Sequence, residues 1–301
     1  MKAKGLILLL LLLVISTRAN KREVRWWMAA NSLQSNLDFI LENPDVITGV
    51  YTYASATVLD DGQFTCVIEN TNCGNNTWMT SHLQPYVDLN LTVTPALGLT
   101  NRSLVSGAAL KGVNDVVLWA KSQKNIITGL MLDFEPDTSN STWVEMYSDY
   151  VRALSEGMHS VGMSLEMCTA AWGILDGHST PEGYGIFSKT GVDVMMSMSS
   201  TYFGTNITKN KENVMNEIEQ GVSLSQLAVG IGTMISSPCP TGEGKWDYEW
   251  TEADLRSFTD WIGETKDIRR LDFWRADIDN EGDCTEKYYF DVARNFLNLT
   301  T

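Results

Sequence analysis

Short apolar runs recur along the chain, and each is followed by apolar residues at helical spacing. Eight runs have this form: Val24–Ala29, Val46–Thr52, Leu89–Thr94, Ile127–Asp133, Gly162–Cys168, Val192–Ser199, Leu227–Thr233 and Leu271–Ala276. Strand-length runs bounded by polar residues predict buried strands. After the first run, Leu33, Leu37, Ile40 and Leu41 form one stripe, and after the third so do Leu104, Ala108, Val113, Val116, Val117 and Trp119. The clearest amphipathic stripe follows the fourth: Trp143, Met146, Tyr147, Tyr150, Val151, Leu154 and Met158. Thr142 stands three residues before Glu145, a capping-box spacing at a helix start. Thr251-Glu-Ala-Asp254 offers a similar start to the seventh helix. Strand–helix alternation repeated eight times predicts parallel strands, because each helix carries the chain back to the starting edge. The expected architecture is α/β, a single (β/α)8 TIM barrel over residues 20–301. An open doubly wound sheet is the alternative, but Trp26-Trp27-Met28-Ala29 carries no Gly-rich phosphate loop after the first strand.

The amino-terminal segment breaks this pattern. Met1-Lys-Ala-Lys4 is basic, Gly5–Ile15 is apolar, and Ser16-Thr-Arg-Ala19 supplies a small residue for cleavage. That order predicts a signal peptide over residues 1–19, too short to span a bilayer. An uncleaved signal anchor is the alternative. Cleavage implies a secreted protein, extracellular or in the lumen of the secretory–endolysosomal pathway, with no membrane attachment.

Charge narrows the partners. Removing residues 1–19 leaves 19 basic residues against 37 acidic, a net charge of −18. Such a surface repels phosphate backbones, so nucleic acid is not an expected partner. A neutral carbohydrate remains compatible, and the expected state is a monomer. The chain has six Asn-x-Ser/Thr sites. Asn75, Asn101, Asn140, Asn206 and Asn298 are expected to carry glycans; Asn90 falls in a predicted strand and is set aside. Of the five cysteines, Cys66 and Cys73 flank a polar loop, and Cys239 and Cys284 each follow a late strand, so these form two expected disulfides. Cys168 closes an apolar strand and reads as a buried free thiol. The three histidines, His82, His159 and His178, show no metal-ligand spacing, and neither metal nor cofactor is expected.

The most informative segment is Ile127-Thr-Gly-Leu-Met-Leu-Asp-Phe-Glu-Pro136. Alternation along a strand gives Gly129, Met131, Asp133 and Glu135 one face and Leu130, Leu132 and Phe134 the other. The all-apolar set suits the helices, which leaves both acids pointing into the barrel at the carboxyl end of the strand, where barrel enzymes keep their chemistry. Desolvation and a second carboxylate both raise a carboxyl pKa, and a protonated Glu can donate to a glycosidic oxygen. A lone Asp-x-Glu more often caps a helix or lines a solvated loop; strand position, inward phase and flanking aromatics favour catalysis here.

Gly129-Leu-Met-Leu-Asp133-Phe-Glu135 resembles the fourth-strand signature of glycoside hydrolase family 18, the chitinase-like barrels. Gly129, Asp133, the aromatic Phe134 and Glu135 match, while Thr128 and Met131 replace the family's first two aspartates. Met198 and Gly204 resemble parts of the family's sixth strand, with Ser200 and Thr201 where Tyr and Asp are usual. Leu227–Gly232 resembles the seventh strand, and Phe273-Trp274 the eighth-strand aromatic. The resemblance implies a retaining, substrate-assisted mechanism in which the substrate's acetamide is the nucleophile. It assigns Glu135 as general acid/base, Asp133 as the acetamide-orienting acid, Tyr202 as a second acetamide partner and Trp274 as the sugar platform.

Several other residues have two readings. Glu166 is a pocket carboxylate or a structural hydrogen-bond partner. Trp27 stacks on sugar or packs the barrel floor, and Tyr51, Tyr53 and Trp172 line a cleft or close their strands. Asp272, Asp277 and Asp279 suggest a cation site, but solvated loop acids explain most of them. The substrate expected is a glycan with β-1,4-linked N-acetylglucosamine. A non-catalytic sugar-binding barrel is the main rival, favoured by the loss of an aspartate at Met131 and disfavoured by the retained Glu135. A lysozyme-like hydrolase, which needs no acetamide-binding tyrosine, is a third possibility.

Overall fold

The computed structural model describes residues 21–28, 33–68, 71–72, 76–134, 141–169, 183–198, 200, 204–233, 250–274, 278–279, 282–283 and 287–298. The expected signal segment, Glu135, Tyr202, Trp172, His178, Asp277, Cys73, Cys239, Cys284, Asn75 and Asn140 lie outside these residues.

Strand β1 (Glu23–Met28) leads through α1 (Leu33–Glu42) to β2 (Gly49–Val58). A small excursion follows, β3 (Phe64–Ile68) and β4 (Thr71–Asn72), then α2 (Asn76–Asp88) and β5 (Thr92–Leu99). The chain continues through α3 (Asn101–Val105), α4 (Ala108–Ser122), β6 (Gly129–Leu132), α5 (Ser141–Ser160), β7 (Ser164–Thr169), α6 (Gly183–Phe187) and β8 (Val194–Ser197). It ends with α7 (Ile207–Glu219), β9 (Leu227–Gly232), α8 (Glu252–Asp260) with a π-turn (Trp261–Thr265), β10 (Arg270–Trp274), the pair β11 (Ile278–Asp279) and β12 (Gly282–Asp283), and α9 (Lys287–Asn298). Strands β1, β2 and β5 to β10 are parallel neighbours, and β1 pairs with both β2 and β10, so the sheet closes. The expected (β/α)8 barrel is what the chain forms.

Alternation divides the strand residues into two cores. Outward-facing Val24, Trp26, Met28, Leu130, Leu132, Phe134, Leu165, Val229 and Phe273 pack under the helices. Trp26 is fully buried there, stacked on Phe273 with centroids 4.5 Å apart and on Phe290 at 5.3 Å. Losing such a ring costs about 3–5 kcal/mol, so this outer layer holds the helices to the barrel. Inward-facing Trp27, Tyr51, Ala96, Met131, Cys168, Met196, Met198 and Ala228 form a smaller inner core.

Several local expectations change. Strand β5 starts at Thr92, later than expected, and Asn90 is an exposed turn residue with φ 62°. Burial in a strand is therefore no reason to set that glycosylation site aside. On α1 the inward residues are Phe39 and Ile40, while Leu41 is 56% exposed. The helical pattern after the third barrel strand is broken by Gly107 in the left-handed region (φ 71°), which separates α3 from α4. Thr142 lies inside the first turn of α5 rather than before it. Thr251 does cap α8, accepting from the Asp254 amide at 3.1 Å.

Candidate active site

Strand β6 delivers its residues as the alternation predicts. Leu130, Leu132 and Phe134 belong to the outer core, where the Phe134 ring meets Tyr147 edge-on at 5.1 Å. Met131 belongs to the inner core. Asp133, two residues further along, follows it to the inner face at the carboxyl end of the strand. Gly129 has a steric reason to be glycine: a Cβ there would stand 2.1 Å from Ser164 Oγ and 2.5 Å from the Ser164 carbonyl oxygen. The matched glycine thus lets β6 and β7 approach, whatever the chemistry above it.

Asp133 is half-buried, and burial raises its pKa above the usual value, against a hydrogen bond with the Cys168 side chain that lowers it. Cys168 is buried as expected, and its Sγ lies 3.7 Å from Met131 Sδ. Across the barrel, Trp274 keeps part of its ring accessible and rests edge-on against Trp27, with centroids 4.9 Å apart. Trp27 is wholly buried between Trp274 and Tyr51, so it backs the Trp274 ring rather than offering a face of its own. Met198 is buried in the same inner core, beneath the rim. Ser200 is a staple: it donates to the Gly230 carbonyl and accepts from the Gly232 amide, tying the end of β8 to β9.

One inner position below Cys168 the barrel is filled by charge. Arg25 Nη1 donates to Glu166 Oε1 at 3.0 Å and to Thr94 Oγ1 at 3.0 Å, and its Nη2 reaches Glu23 Oε2 at 3.0 Å. Arg270 bonds Glu166 Oε2 at 2.6 Å and Asp272 Oδ1 at 3.0 Å. The two guanidiniums flank the Tyr51 ring, at 5.7 Å and 5.5 Å from its centroid. Three carboxyls face two guanidiniums, and burial pushes Glu166 up to about 8 despite Arg25, and raises Asp272 as well. Burial likewise lowers Arg270 to about 10.

These contacts decide between the two readings of three residues. Glu166 is committed to a structural network rather than to a sugar pocket. Asp272 is not a solvated loop acid but a fully buried partner of Arg270. Tyr51 likewise closes the network instead of lining a cleft. A cavity of about 300 Å³ opens beside these residues at the amino-terminal end of the barrel, lined by Lys21, Glu23, Arg25, Glu166, Arg269 and Arg270 among others. That end is opposite the one where barrel enzymes work.

Sequence reasoning overlooked Arg25, Arg270 and Glu217. The two arginines carried a signal: Arg25 interrupts an apolar strand and Arg270 opens one, both in the inward phase. Glu217 carried none, because α7 buries a polar face of Asn210, Asn213 and Glu217 beside Val214. Its carboxyl is fully buried and pushed up to about 8 by desolvation, against hydrogen bonds from Ser197, Asn213 and Thr169. Among the expected glycan sites, Asn101, Asn206 and Asn298 are exposed, and Asn206 also caps α7 through Oδ1, 3.1 Å from the Lys209 amide. His159 pairs with Asp193 at 2.9 Å on the surface.

No family model and no curated protein matches the sequence. Solved structures do match. A chitinase from Chromobacterium violaceum superposes with a TM-score of 0.68 at 8% identity, covering 93% of this chain and 100% of its own. The spore cortex-lytic enzyme of Bacillus megaterium gives 0.67 at 12% identity over 93% of this chain and 76% of its own. Catalytic domain 2 of a group II chitinase from Ostrinia furnacalis, solved in complex with (NAG)5, gives 0.66 at 13% identity, covering 93% and 97%. At these identities the likeness establishes the fold: the chain has the barrel of chitinase-like structures.

Proposed function

We propose that this chain, built on the barrel of chitinase-like structures, is a secreted glycoside hydrolase that cleaves β-1,4-linked N-acetylglucosamine. The observation that carries the reading is Asp133, an inward-facing, half-buried acid at the carboxyl end of β6, two residues before Glu135. In this reading Glu135 shares the inner face and gives its proton to the leaving glycosidic oxygen. The substrate's acetamide oxygen attacks the anomeric carbon as that bond breaks, so no enzyme nucleophile is needed. Asp133 orients the acetamide and balances the oxazolinium charge, Tyr202 adds a second hydrogen bond, and Trp274 supports the sugar ring. Water then opens the oxazolinium and returns a proton to Glu135.

The same reading has residues 1–19 removed in the secretory pathway, glycans on the exposed sequons, disulfides Cys66–Cys73 and Cys239–Cys284, and a monomer as the working form.

One observation favours a second reading. Met131 fills the inner core directly below Asp133. A thioether there gives Asp133 no carboxyl with which to share a proton, which suits a barrel that binds chito-oligosaccharides without turning them over.

Hydrolysis of fluorogenic chitobiose and chitotriose by the wild type and Glu135→Gln separates the readings. The hydrolase predicts a loss of roughly 10²–10⁴-fold in the variant. Equal background in both proteins, with measurable oligosaccharide binding, would establish the binding barrel. Turnover that survives in Glu135→Gln would mean that another residue is the acid.

A further inference from the structure

We propose that Cys168 is the positioning donor of the Asp133 carboxylate, its thiol fixing the orientation of the acid at the barrel mouth. The geometry comes from the β6–β7 ladder. Leu132 pairs with Met167, so the next residues on the two strands, Asp133 and Cys168, are lateral neighbours on the inner face. Cys168 is 1% exposed, and its side chain is hydrogen-bonded to Asp133. Its Sγ also lies 3.7 Å from Met131 Sδ.

A thiol has one hydrogen, and two acceptors compete for it. A thioether is a weak acceptor, whereas a carboxylate makes a charge-assisted bond, so the hydrogen goes to Asp133 and Met131 backs the sulfur as a packing contact. The other titratable groups described on this inner face are Glu23, Glu166, Arg25, Arg270 and Asp272 in the layer below, and Tyr51, whose hydroxyl bonds into that layer. Cys168 is thus the inner-face neighbour of Asp133 on β7 and a side chain that bonds it.

Its chemistry suits that task. An ordinary thiol keeps its proton through the acid and neutral range, so it gives Asp133 a donor that brings no charge of its own. The bond is weak, so the carboxylate can turn to an incoming N–H at little cost. The consequence for turnover rests on the proposed hydrolase; the pairing itself does not.

The test uses the whole secreted chain. In infrared spectra the S–H stretch lost in Cys168→Ser identifies the thiol. That band should move to higher wavenumber in Asp133→Asn, because a neutral amide accepts more weakly than a carboxylate. The Asp133 carboxyl, followed by isotope-edited infrared titration, should protonate at higher pH in Cys168→Ala and return toward wild type in Cys168→Ser, which keeps a donor. On the acid limb of the rate profile, Cys168→Ala should fall about two- to fivefold below the wild type, the worth of one weak hydrogen bond. An S–H band unmoved by Asp133→Asn, or a carboxyl titration the same in the alanine and serine variants, would overturn the pairing. If Cys168→Ala does not fold, the serine variant and Asp133→Asn still decide it through the S–H band. Spectral shifts as expected with no chito-oligosaccharide hydrolysis by the wild type would uphold the pairing and sink the hydrolase.

Discussion

The Tyr51 hydroxyl oxygen lies 2.7 Å from Glu166 Oε2 and 2.9 Å from Asp272 Oδ2. A phenol has one hydrogen, so both contacts are hydrogen bonds only if one carboxyl carries a proton of its own. Burial raises both acids, Glu166 to about 8, so the extra proton is held between the two. The barrel core therefore contains two guanidinium cations, the Glu23 carboxylate, and one proton shared by Glu166 and Asp272, a closed balance beneath the proposed site.

That balance ranks three substitutions. Tyr51→Phe removes a donor between two acids and should cost about 1–3 kcal/mol. Glu166→Gln keeps the shape and a neutral donor beside Tyr51 and should cost less than Arg25→Met. The arginine variant strands the Glu23 carboxylate without its cation and leaves Glu166 Oε1 without its donor, and should lose about 3–5 kcal/mol. Urea midpoints at pH 6 for the three variants give the order directly.

Glu217 makes stability depend on pH. Its folded-state pKa, about 8, is raised above the 4.5 of the free group, and Glu166 is raised in the same way. The folded chain therefore holds more protons than the unfolded chain between about 4.5 and 8. The contribution of these groups is fully present below about 4.5 and is lost as pH rises through about 8. Burial favours the protonated form, and among the described residues Glu217 Oε2 and Asn213 Oδ1 find no donor. Glu217→Gln supplies a permanent donor and should lose roughly 2–4 kcal/mol less than wild type between pH 5 and pH 9. Parallel urea titrations at the two pH values check the difference; equal losses would mean that Glu217 is ionised in the fold.

Gly129→Ala tests whether the glycine is there for packing. The new Cβ would meet both Ser164 Oγ and the Ser164 carbonyl oxygen. The hydroxyl can rotate away but the carbonyl is held in the ladder, so β6 and β7 must separate. A loss of about 1–3 kcal/mol is expected, and Ser164→Ala in the same chain should not restore it. Thermal unfolding of the single and double variants separates the two contacts.

The barrel was legible because its eight strands each carry an apolar run and its helices an apolar stripe, and the inward phase of Met131 and Asp133 followed from period-two alternation. Strand limits were less legible. Leu89 and Asn90 read as strand by their apolar neighbours, yet Asn90 turns the chain at φ 62° before β5 begins. The roles of Glu166 and Asp272 were hidden for another reason: an inward acid looks the same in sequence whether it faces substrate or a guanidinium. Only the register of β1, β7 and β10, which brings Arg25 and Arg270 to Glu166, separates the two. Polar helix faces such as Asn213 and Glu217 are invisible to any hydrophobic pattern.

Trp274 gives the proposed site a test that leaves the acids alone. Its ring is partly accessible and supported from below by Trp27, so removing it exposes the edge of a buried ring without opening the charged layer beneath. Stacking of an aromatic face on a sugar contributes to binding the ground state and the transition state alike, so its loss acts on KM. Trp274→Ala should bind chito-oligosaccharides about ten- to a hundredfold more weakly, with kcat reduced far less. Trp274→Phe, which keeps a face, should recover most of the affinity. Calorimetric titration with chitotriose alongside steady-state kinetics distinguishes this from a folding defect, which would lower the active fraction without changing KM. A Trp274→Ala protein with unaltered affinity would place the sugar elsewhere in the barrel mouth.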